Sequence, residues 1–203
     1  SYSVSQRACN RTDCIRQTPR PAAKESSMNS IRTWFAHAWI TLLVAGIVIA
    51  LDQWSKVIVR ANLPKFDFVP VLGNFFGWQH VDNFGASFGL FQDARLVLTI
   101  VAISVTAAIL VYVRYIPRDH VAMRILLGLM VGGAVGNLID RVARGYVTDF
   151  IVLRIPNVYA WPNFNVADMA VVTGTILLAI YIIWEDVHSS RAAKAQAHLP
   201  DNE

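Results

Sequence analysis

Four stretches of this chain are long, apolar and almost free of charge, and they leave it few ways to fold. Residues 33–51 and 96–113 contain no Asp, Glu, Lys or Arg. Residues 121–139 are interrupted only by Arg124, and residues 166–184 only by Asp168, each near its start. All four are 18 or 19 residues long, close to the roughly 20 that a helix needs to cross the hydrocarbon core of a bilayer. Charged residues make up 16% of the chain, against about 25% in soluble domains. Four spans consume so much of 203 residues that no large soluble domain remains. The expected fold is a membrane all-α one, four transmembrane helices with a small β-rich element on the outer side.

The net charge of +4 then reads as topology and not as a nucleic-acid footprint. With four spans, the N-terminal segment, the link after span two and the C-terminal segment share one side. Together with Arg124 they carry 11 of the 18 Lys and Arg residues, a bias that places both termini in the cytoplasm. Residues 1–27 are polar, hold both cysteines (Cys9 and Cys14) and show no apolar period, so a disordered tail or extension is expected there. Met28 stands just before the first span. Residues 28–188 form the expected membrane domain and residues 189–203 a cytoplasmic tail. Span one is longer than a signal-peptide core and lacks a small-x-small cleavage site after it, so it reads as a permanent anchor. Its helix is expected to continue through Asp52-Gln53-Trp54-Ser55-Lys56.

Between spans one and two, β-prone residues 66–72 and 75–81 flank Gly73-Asn74, a hairpin signal whose aromatic content suits the bilayer interface. In span three, Gly128, Gly132 and Gly136 recur every fourth residue, which lines them on one face and lets a neighbouring backbone approach closely. Asp140 continues that line.

An ionisable group at bilayer depth costs about 2.5–3.5 kcal/mol on insertion scales and is a functional candidate by default. Asp168 also fits a plain helix start, with Asn165 as N-cap and Asp168 at the third helical position. Asp149, inside Val147-Thr148-Asp149-Phe150-Ile151-Val152-Leu153, has no such explanation. Asp140 has structural partners at hand in Asn137 and Arg144, and Asp52 pairs with Lys56 as a helix-end ion pair. Gly85-Ala86-Ser87-Phe88-Gly89 matches a serine nucleophile elbow, but that pattern requires a buried strand before it and an α/β sheet around it. His37, His80, His120, His188 and His198 are scattered and offer no zinc spacing. Paired carboxylates are what remains. Brought together they share a proton, so one accepts a proton from water while the other polarises a carbonyl. A proton relay in a small channel or transporter would use the same two aspartates.

Four blocks decide between these readings. Asp52-Gln53-Trp54-Ser55-Lys56, Asn83-Phe84-Gly85-Ala86-Ser87-Phe88-Gly89, residues 132–150 from Gly132-Gly133 through Thr148-Asp149-Phe150, and Trp161-Pro162-Asn163-Phe164-Asn165-Val166-Ala167-Asp168 resemble, in order and spacing, the lipoprotein signal peptidases (signal peptidase II). The resemblance covers about residues 30 to 185. It implies an aspartic endopeptidase with Asp149 and Asp168 as catalytic pair, supported by Asp52, Lys56, Asn83, Asn137, Asp140, Arg141 and Asn165. It further implies removal of signal peptides from diacylglyceryl-modified prolipoproteins just before the lipidated cysteine, without metal or cofactor. The expected setting is the bacterial cytoplasmic membrane with the site toward the outer face; the expected partners are the prolipoproteins and membrane lipids, no nucleic acid, and no second copy of the chain. Position 87 is commonly Ala in that family and Ser here, which speaks against Ser87 as a nucleophile.

Overall fold

A computed structural model describes residues 22–85, 95–155 and 158–196. Residues 1–36 and 37–203 form separate units, and of the first only the opening of a helix is described. Cys9, Cys14, Ser87 and His198 lie outside the described residues.

Helix α1 (Ala22–Asn62) leads to strands β1 (Phe68–Leu72) and β2 (Phe76–Asn83). Helix α2 (Arg95–Tyr112) ends in a 3-10 turn (Val113–Tyr115) and is followed by α3 (Val121–Ala143). Strands β3 (Val147–Ile155) and β4 (Tyr159–Ala160) precede α4 (Val166–Gln196). Trp34–Asn62, Leu96–Tyr115, Val121–Ala143 and Val166–Arg191 are each long and apolar enough to cross a membrane. Span one therefore carries well past Lys56, as expected. The outward faces stay apolar: Leu96, Val97, Ile100 and Val101 on α2 and Ile176, Ile180 and Ile183 on α4 are all exposed. An aqueous protein rarely shows so continuous an apolar face; in a bilayer, lipid covers it.

The glycine line of α3 packs on α1. A Cβ built on Gly128 would lie 2.8 Å from the Thr41 carbonyl oxygen, one on Gly132 would lie 2.9 Å from that of Ala45, and one on Gly136 would lie 2.8 Å from Asp52 Oδ2. The contacts thus step along α1 in register with the glycines, and any larger side chain would push the helices apart. Gly133, one residue round the helix, meets the Ala167 carbonyl of α4 instead. At the other end of α3, Arg124 is 1% exposed and has no carboxylate partner among the described residues. It donates to the carbonyls of His37 (2.6 Å), Ile116 (2.8 Å) and Pro117 (3.1 Å). Those carbonyls lie in α1 and in the turn after α2, so Arg124 ties three spans together besides marking a membrane side.

The expected hairpin is present, with β1 and β2 antiparallel around Gly73, whose φ is +52°. What the sequence reading missed is its partner. Residues 147–155 form β3, which pairs antiparallel with β2, and the whole sheet has the order β1-β2-β3-β4. The first six residues of β3 are buried without alternation, so the period-2 signal that marks a half-exposed strand is absent. Gly145 (φ +87°) closes α3, its N–H reaching the Arg141 carbonyl at 3.2 Å. This left-handed residue after the helix turns the chain straight into β3.

Candidate active site

The sheet and the ends of α1, α3 and α4 that adjoin it meet where the acidic residues cluster. Asp149 arrives on β3, opposite Val81 of β2. Asn83, two residues further along β2, donates from Nδ2 to Asp149 Oδ2 at 2.8 Å. The segment before α4 is fastened to the same strand, because the N–H groups of Phe150 and Ile151 both donate to the Phe164 carbonyl (3.0 and 2.8 Å). That pairing brings Asn165, the next residue, beside Asp149, and Asn165 Nδ2 donates to Asp149 Oδ1 at 2.6 Å.

Asn165 also starts α4. Its Oδ1 accepts from the Asp168 N–H (2.9 Å), and its own N–H donates to Asp168 Oδ2 (3.2 Å). This is a reciprocal capping box with Asp in place of the usual Glu or Gln. The helix-start reading of Asp168 is therefore correct as structure and does not compete with a chemical role. The other oxygen, Oδ1, accepts from Asn137 Nδ2 at 2.7 Å. Asp149 and Asp168 are thus each one hydrogen bond from Asn165, and each carboxylate has both oxygens directed by an amide.

Beneath the pair lies a buried ionic layer. Lys56 Nζ, fully buried, sits 2.8 Å from Asp52 Oδ2, 3.1 Å from Asp140 Oδ2 and 2.9 Å from Asn137 Oδ1. The Asp52–Lys56 pair is not at a helix end, since α1 runs on to Asn62. An ammonium taken out of water needs this enclosure to offset its desolvation. Asp52 reaches α4 as well, its Oδ1 accepting from the Ala167 N–H at 3.0 Å and so satisfying one of the orphan donors at the helix start. Asp140 accepts from Arg144 (3.1 Å), as expected, and from the Thr148 N–H (3.2 Å). Asn137, expected to support Asp140, turns instead to Lys56, Asn165 and Asp168. Spacing along one helix placed Asn137 near Asp140, but the buried lysine and the capping residue of α4 offered it stronger partners. Arg141 lies within electrostatic reach of Asp168, Asp149 and Asp140.

Three contributors went unnoticed in the sequence. Arg60 donates to Thr148 Oγ1 at 3.0 Å, Thr148 is fully buried beside Asp149, and Gln53 Nε2 donates to the Gly136 carbonyl at 3.0 Å. For Arg60 a signal existed: it follows Lys56 by one helical turn and shares its face. Burial pushes the Asp149 carboxyl up to about 7 from an ordinary 3.8, and the neighbouring charge of Asp168 acts in the same direction. The amides of Asn83 and Asn165 oppose the rise. A buried carboxyl that exchanges a proton near neutral pH, held beside a second carboxyl, is suited to general acid–base work.

Comparison with known proteins agrees with this chemistry. The family model described as Signal peptidase (SPase) II matches residues 44–184. A lipoprotein signal peptidase of Moorella thermoacetica is 47% identical over 137 residues, 68% of this chain and 88% of the relative. One from Clostridium acetobutylicum is 42% identical over 146 residues, 71% of this chain and 94% of the relative. A solved bacterial membrane enzyme superposes with a TM-score of 0.67 at 29% identity, covering 72% of this chain and 88% of its own. The chain is a multi-pass bacterial membrane protein, and it belongs to the signal peptidase II family of aspartic peptidases.

Proposed function

We propose that this chain removes the signal peptide from diacylglyceryl-modified prolipoproteins, cutting before the lipidated cysteine, with Asp149 and Asp168 as the catalytic pair. The observation that carries the assignment is the shared Asn165, which bonds both carboxylates while the amides of Asn83 and Asn137 fix their remaining oxygens. In this mechanism the pair shares one proton, carried by Asp149 before the attack. Asp168 takes a proton from water as the oxygen adds to the scissile carbonyl, and Asp149 gives its proton to the carbonyl oxygen. The tetrahedral gem-diol collapses when the amine leaving group receives the proton held by Asp168 and Asp149 takes a proton back from one of the two hydroxyls, so that the C–N bond breaks, the carbonyl re-forms and the pair returns to its starting state. Asp52, Lys56, Asn137, Asp140 and Asn165 form the support that sets these positions, and Arg141 supplies positive charge near the pair. The site is completed by residues of one chain, which fits a monomer. It faces the outer side of the cytoplasmic membrane, with both termini inside.

The test is single-turnover cleavage of a diacylated precursor and its unlipidated twin, by purified protein in detergent with no gradient present. Asp149→Asn and Asp168→Asn each lower turnover by about a thousandfold or more while binding survives, and the double variant is little worse than either, because residues acting as one unit are not additive. Asp140→Asn costs stability and a smaller share of the rate. An active Asp149→Asn enzyme, or equal cleavage of the unlipidated twin, contradicts the proposal.

A further inference from the structure

His80 lies on β2 three residues before Asn83 and is 4% exposed. Its ring nitrogens both meet acceptors. Nδ1 is 3.2 Å from the carbonyl oxygen of Leu63, in the link that follows α1. Nε2 is 3.4 Å from Asp82 Oδ1. These two facing atoms are buried and lack any hydrogen-bond partner of their own among the described residues. A carbonyl can only accept, so Nδ1 must carry a hydrogen; a neutral ring would then leave a bare Nε2 3.4 Å from a carboxylate oxygen. Two buried acceptors face to face are costly. A second proton on the ring makes the same two groups an ion pair at 3.4 Å, which low exposure to water strengthens.

We propose that His80 is held as an imidazolium and acts as a positioning residue, clamping the α1–β1 link to the strand that aligns Asp149 through Asn83. The surroundings are built for this. The other oxygen of Asp82 receives Lys65 Nζ at 2.6 Å, and Lys65 stands over the Tyr146 ring at 5.8 Å. The Phe66 N–H donates to the His80 carbonyl at 2.9 Å. Phe66 has a φ of +68°, a conformation a bulky side chain adopts only when its surroundings enforce it. Asp82 directly precedes Asn83, whose Oδ1 accepts from the Gly85 N–H at 3.0 Å while its amide holds Asp149. His80 and Asp82 share one face of β2, and Asn83 points to the other. The clamp therefore reaches the site through the strand and not by touching substrate. The functional half of this inference rests on Asp149 as a catalytic residue; the protonation half does not.

Nitrogen NMR of histidine-labelled protein in detergent at pH 7 tests the ring directly, with the His80 signal identified by its absence in His80→Gln. Both ring nitrogens are expected to be protonated. Asp82→Asn, whose amide can donate to Nε2, is expected to return the ring to its neutral form. A singly protonated ring in the unmodified protein overturns the imidazolium. The positioning role is read from kinetics on the diacylated precursor. His80→Leu is expected to lower kcat about tenfold with KM changed less than about twofold, and His80→Gln, whose amide can serve both acceptors, to recover most of the loss. A Leu variant as fast as the unmodified enzyme, or a Gln variant no better than Leu, overturns it.

Discussion

Asp168 shows how much one side chain can be asked to do. One of its oxygens closes the capping box of α4 and the other receives Asn137, so the group proposed for chemistry also begins its own helix. The sequence reading set helix start against catalysis as rivals, and the structure removes the rivalry. Asp149 is the opposite case, a carboxyl whose surroundings favour its neutral form. Its folded value of about 7 lies above the ordinary 3.8. A raised value means that its contribution to stability is present below about pH 4 and is lost as pH climbs through 7. Asp149→Asn, which removes that titration, should therefore melt at a higher temperature than the unmodified protein at pH 8, with the gap closing toward pH 4. Thermal melts in detergent across that range measure it, and equal melting temperatures at pH 8 would contradict the burial argument. Stability given up at a working site is a common trade.

Among the elements, the four spans and the hairpin were legible because their signals are local: apolar runs of fixed length and a Gly-Asn turn between β-prone runs. The glycine spacing of α3 was legible too, and its partner proved to be α1. Strand β3 was not, since a strand buried on both faces has no alternation to read and its pairing with β2 spans about seventy residues of chain. The same limit applies to the site. Motifs named its members, but the bonds of Lys56 and Asn137 to other elements depend on helix ends that meet only in three dimensions. Gly132→Leu tests the packing. The added side chain meets the Ala45 backbone, and overpacking of this kind costs about 1–3 kcal/mol or more. A marked fall in melting temperature is expected, and unchanged stability and activity would refute the close α1–α3 approach.

At the level of the whole molecule, the sheet and the ionic layer lie at one end of the helices and Arg124 at the other, with a continuous apolar surface between. The topology has a direct measurement. In a Cys9→Ser, Cys14→Ser background, a cysteine placed at Asn74 should react with an impermeant maleimide added to intact spheroplasts, and one placed at Arg118 only after permeabilisation. The reverse pattern would invert the proposed orientation. The site draws on α1, β2, α3, β3 and the first turn of α4, so its parts leave the ribosome far apart in time. Until the fourth span is made, Asp149 has neither Asn165 nor Asp168 beside it, although Asp52, Asp140 and Asn137 are already present to enclose Lys56. A nascent chain halted after β3 thus carries one carboxyl of the proposed pair and lacks the other. Synthesis of the last helix therefore completes the proposed pair, so that on this reading the peptidase becomes active only once its whole membrane domain has been made.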